Sequence, residues 1–211
     1  MARAKQMSFL SKVKTTPNYD LEASYEGIIC GVDEVGRGPL AGPVVAAAVI
    51  LDPAHIPAGL NDSKKLSEKK RLLLDEEIKS HAYYAYGIAT VEEIDEINIL
   101  QASLRAMQRA VENLQIKPDL ALVDGNQDPT LICPSRCVIR GDSKSLSIAA
   151  ASIIAKNKRD QLMKKLAQIY PEYGWDRNAG YGTQAHREAL ELVGASHFHR
   201  KSFAPIRDLK I

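Results

Sequence analysis

The chain has 211 residues, of which 45% are hydrophobic and 26% are charged, a composition typical of one folded domain and not of a disordered or fibrous protein. Lysine and arginine number 28 against 26 aspartates and glutamates, so the formal net charge is only +2. This balance excludes a protein that binds nucleic acid through bulk charge, and any such contact must come from local basic patches.

The first 26 residues are polar and basic, and we expect them to form a loosely ordered extension ahead of one domain spanning residues 27–211. They contain no apolar run long enough for a signal peptide, and the longest apolar stretch, Val44 to Leu51, is too short to cross a membrane. The 3 cysteines cannot all pair, and no second pair completes a zinc site with Cys133 and Cys137. A cytoplasmic protein with reduced thiols is expected.

Apolar segments bounded by charged or turn-forming residues predict β-strands, and the third of them is rich in tyrosine, which favours strands. The predicted strands span residues 27–33, 43–51, 82–91, 119–124 and 137–140. Short connections at one end of the first strands favour a mixed sheet over a purely parallel one.

Helical spacing of apolar residues predicts helices between and after these strands. Ser67 is the expected N-cap of the first helix, and Gly194 is expected to end the last. The third helix carries small residues that allow it to lie close against a sheet. The predicted helices span residues 66–79, 99–114, 146–169 and 183–193, which makes the fold class α/β.

Acidic residues follow three of the predicted strands. Asp33 and Glu34 close the first, Asp124 closes the fourth, and Asp142 follows the fifth. If these strands are parallel neighbours, the carboxylates converge at the edge of the sheet where α/β proteins bind ligands. Clustered carboxylates repel one another and need cations, and oxygen ligands without His or Cys select Mg²⁺ or Mn²⁺.

Two observations qualify this interpretation. Asp33 and Glu34 are consecutive, so in a regular strand they point to opposite faces and reach one site only if the strand ends there. An Asp before Gly or Ser is also ordinary turn or cap chemistry, and for Asp142 ahead of a helix this alternative carries equal weight.

A glycine-rich loop, Gly36 to Pro43, follows the first acidic pair. It fails as a dinucleotide fingerprint, because the third glycine comes one residue late, two prolines intrude and a strand follows. The loop offers bare backbone to a ligand, with Arg37 beside it, and an added Cβ at Gly36 or Gly38 is expected to push the backbone away from that ligand.

Basic residues concentrate in three places. Residues 140–165 hold seven basic side chains against two acidic ones, a local charge of +5; residues 64–71 and 200–201 form two further groups. Each group alone is most simply a solvated face, but three groups beside an acidic site favour a polyanionic substrate. His186, His197 and His199 lack a matched fourth ligand for zinc.

These residues resemble a known family. The stretch Gly31 to Val44 is similar to the signature of ribonuclease HII, the bacterial type 2 ribonuclease H, and the resemblance covers about Gly27 to Ile206. Asn157 departs from the common family pattern at a position outside the acidic cluster. Further matching blocks are Asp62–Leu66, Val123–Asn126, Gly141–Lys144, Ile148–Lys156, Arg159–Asp160, Gly180–Thr183 and His199–Phe203.

The resemblance implies an RNase H-like fold, with a five-stranded mixed sheet, flanking helices and a C-terminal helical region. It implies endonucleolytic cleavage of RNA in RNA–DNA hybrids and incision at single ribonucleotides in duplex DNA, leaving 5′-phosphate and 3′-hydroxyl ends. The family's catalytic carboxylates, which would hold two Mg²⁺ or Mn²⁺ ions with substrate, carry over to Asp33, Glu34, Asp124 and Asp142. Its substrate-binding residues carry over to Gly36, Arg37, Gly38 and Tyr181, with Lys64 or Lys65 on a phosphate.

The partners expected from this resemblance are RNA–DNA hybrids and ribonucleotide-containing duplex DNA, with no membrane. A monomer is expected, and no clear sliding-clamp peptide such as Q-x-x-L-x-x-F-F is present near the C-terminus. Two other functions stay open: a structure-specific DNA nuclease of the same fold, and a nucleic-acid binding module whose acidic cluster is only structural.

Overall fold

The structure, a computed structural model, describes residues 16–208. Within them the strands form one five-stranded sheet in the order β3-β2-β1-β4-β5. β1 pairs antiparallel with β2 and parallel with β4, and β4 pairs parallel with β5, so the predicted mixed sheet is confirmed. The strands are β1 (Ile29–Val35), β2 (Val44–Ile50), β3 (Tyr83–Ala89), β4 (Leu120–Asp124) and β5 (Ser135–Val138).

Helices cover both faces of this sheet, and a further group of helices follows it. The helices are α1 (Asp20–Ala23), α2 (Glu68–His81), α3 (Val91–Glu112), α4 (Leu146–Ile169), α5 (Trp175–Asn178) and α6 (Gln184–Val193). α3 packs on one face against β2 and β3, while α4 packs on the other face against β1 and β2. α2 lies beside α4, and α5 and α6 belong to a C-terminal layer.

The two faces of the sheet have separate apolar cores because side chains alternate along each strand. On β2, Ala46 and Ala48 face the α3 side, while Ala47 and Val49 face the α4 side. The close approach of α4 rests on small residues: a Cβ at Gly31 would lie 2.1 Å from the backbone carbon of Ser147. The predicted tight packing of this helix is therefore confirmed.

The C-terminal layer has its own core, built around the fully buried Trp175. Leu40 and Ala41 of the glycine-rich loop pack into it, together with Met163 of α4 and Leu190 of α6. The layer thus holds the loop that follows β1 against the end of the sheet.

Of two helix starts, one agrees with the sequence expectation and the other differs from it. Ser67 is the N-cap of α2 as predicted, its hydroxyl accepting from the Lys70 amide. α3, in contrast, begins eight residues before the predicted start, with a capping box formed by Thr90 and Glu93. A kink at Asn98 (φ 68°) shifts the phase of the apolar stripe, so the periodic pattern is regular only beyond it.

The basic extension expected over residues 1–26 falls partly outside the described residues, which begin at residue 16. From there on the segment is folded against the body: Leu21 packs with Ile148, and Asn18 pairs with Ser145 in an isolated bridge. α1 lies in this segment and was not predicted from the sequence, and neither was α5.

Candidate active site

The residues predicted for the site meet at one cavity. It has a volume of about 210 Å³ and lies at the carboxyl ends of β1 and β4. Three larger cavities, of about 300, 480 and 690 Å³, lie elsewhere and have no comparable group of acids on their walls. The cavity is lined by Asp33, Glu34, Gly36, Arg37, Gly38, Lys64, Asp124, Asp142 and Tyr181, all of them predicted, and by Val35, Ser63 and Ser152.

Strand register explains why the carboxylates of Asp33 and Asp124 are neighbours. Val32 of β1 is the partner of Val123 of β4, so the next residues along the parallel pair are Asp33 and Asp124. Asp124 in turn lies beside Val138 of β5. The predicted convergence of the strand ends is confirmed by this order.

Asp33 and Glu34 both reach the cavity although they are consecutive. β1 ends at Val35, one residue beyond Glu34, so both side chains stand at the rim of the sheet. Asp33 is buried, whereas the Glu34 carboxylate lies 3.4 Å from the Arg37 guanidinium. Glu34 also lines a small neighbouring cavity against α3, so it separates the two spaces.

Asp142 stands on a short 3-10 turn, Gly141–Ser143, between β5 and α4. The turn is tied to the sheet by Asp124, whose Oδ1 accepts from the Gly141 amide at 2.6 Å. The N-cap of α4 is Ser145, whose hydroxyl accepts from Ile148, so the helix does not use Asp142 as its cap. This geometry argues against simple cap chemistry for Asp142.

A buried glutamate that the sequence did not reveal fixes the other side of this turn. Glu22 of α1 is 1% exposed, and its Oε1 accepts from the Ser145 hydroxyl at 2.6 Å and from the Ser147 amide at 2.7 Å. A carboxylate at the start of a helix is favoured by the helix dipole. An isolated Glu in a polar segment carries no signal of such a role.

The electrostatics of the cavity are those of crowded anions. The pKa of Asp33 is raised well above its ordinary value by burial and by the charges of Glu34 and Asp124. Burial also raises the pKa of Glu34, against the opposing effect of Arg37. The pKa of Asp142 is raised by burial and by Asp62 and Asp124. Cations on these carboxylates would relieve the repulsion.

The donor set fits a hard divalent cation, because oxygen ligands of this type suit Mg²⁺ and Mn²⁺. In the described part of the chain, no three His, Cys, Asp or Glu side chains already surround one point as the ligands of an ion do.

The glycine-rich loop is held from behind by two buried arginines. Arg159 of α4 donates to the carbonyls of Ala41, Pro43 and Ala179. Arg200 donates to the carbonyls of Gly36, Arg37 and Gly42. Sequence reasoning placed both arginines among surface charge groups, yet they are 1% and 0% exposed. Their acceptors are carbonyls, which have no residue identity and leave no signal in the sequence.

The expected role of a Cβ differs between the two glycines of the loop. Gly36 has φ 99°, and a Cβ there would lie 2.2 Å from Nε of Arg159. At Gly38 a Cβ would meet only the ring of Tyr181, at 3.5 Å, which is ordinary contact. At Gly36 the added Cβ would therefore clash with the protein itself, whereas at Gly38 it would meet only the Tyr181 ring; the expectation that either Cβ pushes the backbone away from a ligand stays a prediction.

Tyr181 stands at the rim, 47% exposed, and its backbone is fixed by a buried histidine pair. Nδ1 of His186 bonds the Tyr181 carbonyl at 2.9 Å, and Nε2 of His186 lies 3.0 Å from Nε2 of His199. The indole of Trp175 donates to the same His186 nitrogen. His197 lies apart, beside Tyr170. The three histidines are thus packing and positioning groups and not a zinc site.

The basic groups divide into cavity-lining and structural side chains. Lys64 lines the cavity, whereas Lys65 lies 3.8 Å from the Asp62 carboxylate. Lys156 is paired with Asp160 on its own helix, and Lys158 lies over the ring of Tyr86 at 5.5 Å. Of the two candidates for a phosphate contact, the geometry therefore favours Lys64.

No helix within residues 16–208 combines the length and the apolar character that crossing a membrane requires.

Several known proteins are similar to this chain over most of its length. A family model described as Ribonuclease HII matches residues 30–206. The Ribonuclease HII of Paramagnetospirillum magneticum is 57% identical over 194 residues, which cover 90% of this chain and 96% of that protein. The Ribonuclease HII of Dechloromonas aromatica is 61% identical over 181 residues, covering 85% and 92%.

Solved structures show the same architecture. Ribonuclease H2 from Pyrococcus horikoshii OT3 has a TM-score of 0.71 at 29% identity, covering 85% of this chain and 95% of that one. Bst-RNase HIII in complex with Mn²⁺ has a TM-score of 0.72 at 20% identity, covering 85% and 68%, and shows the fold alone. The predicted RNase H-like fold is confirmed by these neighbours.

Proposed function

Because the chain belongs to the ribonuclease HII family, we propose that its acidic cavity incises duplex DNA at single embedded ribonucleotides as well as cleaving RNA in longer hybrids. Family membership makes the chain a metal-dependent hydrolase of the ribonuclease H type 2 class, which cleaves the RNA strand of RNA–DNA hybrids. The proposal concerns the finer substrate, the residues that act on it and their division of labour.

One observation carries the proposal. Acids from two strand ends and a turn, a glycine-rich loop, a lysine and a tyrosine come from distant parts of the sequence and line one cavity. A binding module has no need to crowd buried carboxylates whose pKa values are raised by one another. A site for cation-assisted phosphodiester hydrolysis does need them.

The carboxylates of Asp33, Glu34, Asp124 and Asp142 would hold divalent cations against the scissile phosphate. Two ions held by these carboxylates would supply activation of the attacking water and stabilisation of the leaving 3′-oxygen, which would give 5′-phosphate and 3′-hydroxyl ends. Asp124 has a second task, since it also orients the turn that carries Asp142 through the Gly141 amide.

The remaining cavity residues would bind the nucleic acid. Lys64 would face a phosphate, as a lysine at the wall of an anionic-substrate site does. The 2′-hydroxyl alone separates ribose from deoxyribose locally, so its recognition must come from groups beside the acids. Gly36, Arg37, Gly38 and Tyr181 occupy that position.

A duplex assay tests the proposal. The protein is incubated with Mg²⁺ or Mn²⁺ and with three substrates of one sequence: duplex DNA holding one ribonucleotide, the all-DNA duplex, and an RNA–DNA hybrid. We expect cleavage of the first and third only, with 5′-phosphate ends that a phosphatase removes. Cleavage of the all-DNA duplex would instead favour a structure-specific DNA nuclease, and binding without cleavage of any substrate would favour a binding module.

A further inference from the structure

Arg200 is an unusual residue for the interior of a protein. Its side chain is fully buried, and the four hydrogen bonds that it donates all go to backbone carbonyls of the glycine-rich loop. Two of these acceptors are consecutive: the Gly36 carbonyl, 2.5 Å from Nη2, and the Arg37 carbonyl, 2.9 Å from Nη1. Burial and the nearby Arg159 lower its pKa to about 9, so the guanidinium stays charged at neutral pH.

The contacts of Arg200 determine the direction of two peptide groups. In a planar trans peptide the N–H points away from the C=O of the same group. The carbonyls of Gly36 and Arg37 both turn toward the guanidinium, so the amides of Arg37 and Gly38 both point away from it.

The side that these amides face is the cavity. Gly36, Arg37 and Gly38 line the cavity, whereas the fully buried Arg200 does not, so the loop lies between the guanidinium and the acids. Arg37 and Gly38 are exposed. Among the described residues, neither amide donates to an acceptor in the protein. Two adjacent free N–H groups form a concave donor pair of the kind that binds electron-rich oxygen.

We propose that Arg200 is a positioning residue for ribose selection, which fixes the loop so that the Arg37 and Gly38 amides meet the 2′-oxygen of a ribonucleotide. The inference rests on the proposed function, because it concerns the recognition step of the same cavity. It assigns the selectivity of the loop to a side chain that never touches the substrate.

The choice of arginine is explained by geometry. A guanidinium presents a rigid, planar fork of donors, so one side chain holds three carbonyls of one loop in fixed relative positions. A lysine keeps the charge but offers a compact ammonium that cannot reproduce the fork. Burying an unpaired charge is costly unless its hydrogen bonds are satisfied, so a role in stability alone would be met more simply by an apolar side chain.

Two substitutions separate charge from geometry. Arg200→Lys keeps the charge and Arg200→Gln removes it. We expect both to lower the single-turnover rate at an embedded ribonucleotide by about 10²-fold, the usual effect of losing a well-placed donor in a transition state. The Mg²⁺ concentration for half-maximal rate should not change, because the carboxylates are untouched. The KM for the duplex should also stay unchanged, because Arg200 does not line the cavity.

Ile78→Ala is the control, because Ile78 is fully buried in the core between α2 and α4 and is not among the residues that pack on or bond the loop. It should lower the Tm at least as far as Arg200→Lys while leaving the rate at the ribonucleotide unchanged. A wild-type rate in Arg200→Lys would overturn the proposal, as would an equal loss of rate in Ile78→Ala.

Amide hydrogen exchange in the unmodified protein provides a test that needs no folded variant. The Arg37 and Gly38 amides should exchange freely in the free protein, and should be slowed by the ribonucleotide duplex but not by the all-DNA duplex. Protection in the free protein, or equal protection by both duplexes as a phosphate contact would give, would refute the assignment. If the wild-type protein cuts no ribonucleotide duplex, the proposed function fails; if it cuts but the variants match it, only the role of Arg200 fails.

Discussion

The two walls of the cavity are held in place by different physical means. The acidic wall is carried by β1 and β4, whose residues before the acids are buried and apolar and paired in register. The opposite wall, the loop after Gly36 together with Tyr181, is held by buried polar side chains that donate to backbone carbonyls. Apolar packing loses stability gradually, whereas a polar contact that loses one partner leaves a buried group unsatisfied.

Because of this difference, we expect changes in the acidic wall to affect catalysis and changes behind the opposite wall to affect substrate selectivity. A carboxylate on a strand end needs only the strand to be in place, so a change there should remove catalysis and leave the fold intact. The loop depends on contacts more than 100 residues apart in the chain, and Tyr181 depends on the buried His186, so changes behind them should alter recognition without touching a reacting group.

The largest effect is expected from the acidic wall. Asp33→Asn and Asp124→Asn should each reduce cleavage of a ribonucleotide duplex below detection. This loss of activity exceeds the loss of about 10–100-fold that follows when a residue that only orients a metal ligand is replaced. The Tm without divalent cation should not fall in Asp33→Asn, because the substitution removes a charge that its neighbours repel.

Asp176→Asn is the matched control for these two variants, since its carboxylate is exposed and far from the cavity lining. It should cleave at the wild-type rate. Wild-type turnover of Asp33→Asn at saturating Mg²⁺ would contradict the role assigned to the acidic wall.

On the opposite wall, Tyr181→Ala should lower the single-turnover rate at an embedded ribonucleotide by about 10²–10³-fold. Binding of the all-DNA duplex should change much less, and so should the Tm, because the ring is half exposed and its backbone is held by His186. Tyr181→Phe divides the effect between ring and hydroxyl. Full activity and unchanged preference in Tyr181→Ala would make the ring a packing group.

Much of the acidic wall is readable from the sequence. An apolar strand that ends in Asp33-Glu34, and another that ends in Asp124, are local patterns, and parallel strands bring their ends together. The opposite wall is not readable in the same way. Gly36, Arg37, Gly38 and Tyr181 entered through resemblance to a family, and the groups that hold them bond carbonyls at separations such as the 164 residues between Gly36 and Arg200.

The same distinction explains the errors in the fold prediction. α3 was recognised only from residue 99 because the kink at Asn98 interrupts the apolar period, although the capping box at Thr90 and Glu93 was present in the sequence. α1 is four residues long and owes its position to the buried carboxylate of Glu22. Neither the first part of α3 nor the short α1 has the regular apolar spacing on which helix prediction rests.

The two glycines of the loop sharpen the comparison between stability and recognition. Gly36→Ala should lower the free energy of unfolding by more than about 1 kcal/mol, because its φ is positive and a Cβ would meet Arg159. Gly38→Ala should leave stability unchanged, since nothing in the protein obstructs the methyl, yet lower cleavage at the ribonucleotide. Urea unfolding and the duplex assay on both variants provide the measurement; equal losses of stability would contradict the distinction.

An effect on stability is also expected where the N-terminal segment supports the acidic wall. Glu22→Ala removes two charge-assisted acceptor contacts and leaves the Ser147 amide unpaired, so the free energy of unfolding should fall by about 2–3 kcal/mol. Glu26→Ala, an exposed glutamate of the same segment, is the control and should have little effect. Urea unfolding of the wild type and the two variants measures these differences. Equal stability of Glu22→Ala and Glu26→Ala would show that Glu22 does not stabilise the fold.

The last effect concerns pH, which acts on the polar support of the loop. His199 is fully buried, and burial together with His186 lowers its pKa to about 4. An unfolded histidine titrates near about 6.5. Between these two pH values the unfolded chain binds a proton at this histidine and the folded chain does not. The stability that His199 contributes is therefore complete above about pH 6.5 and is lost as the pH falls toward 4, at about 1.4 kcal/mol per unit of pKa difference.

His199→Gln retains a donor for His186 but does not titrate. It should be less stable than the wild type at pH 7, and the difference should shrink as the pH falls to 4. The raised pKa values of the cavity carboxylates act in the opposite direction, but they are common to both proteins and cancel in the difference. If the difference in the free energy of unfolding between the wild type and His199→Gln stays constant from pH 7 to 4, the polar support of the loop does not respond to acid. The contrast between the two walls would then rest on the substitutions alone.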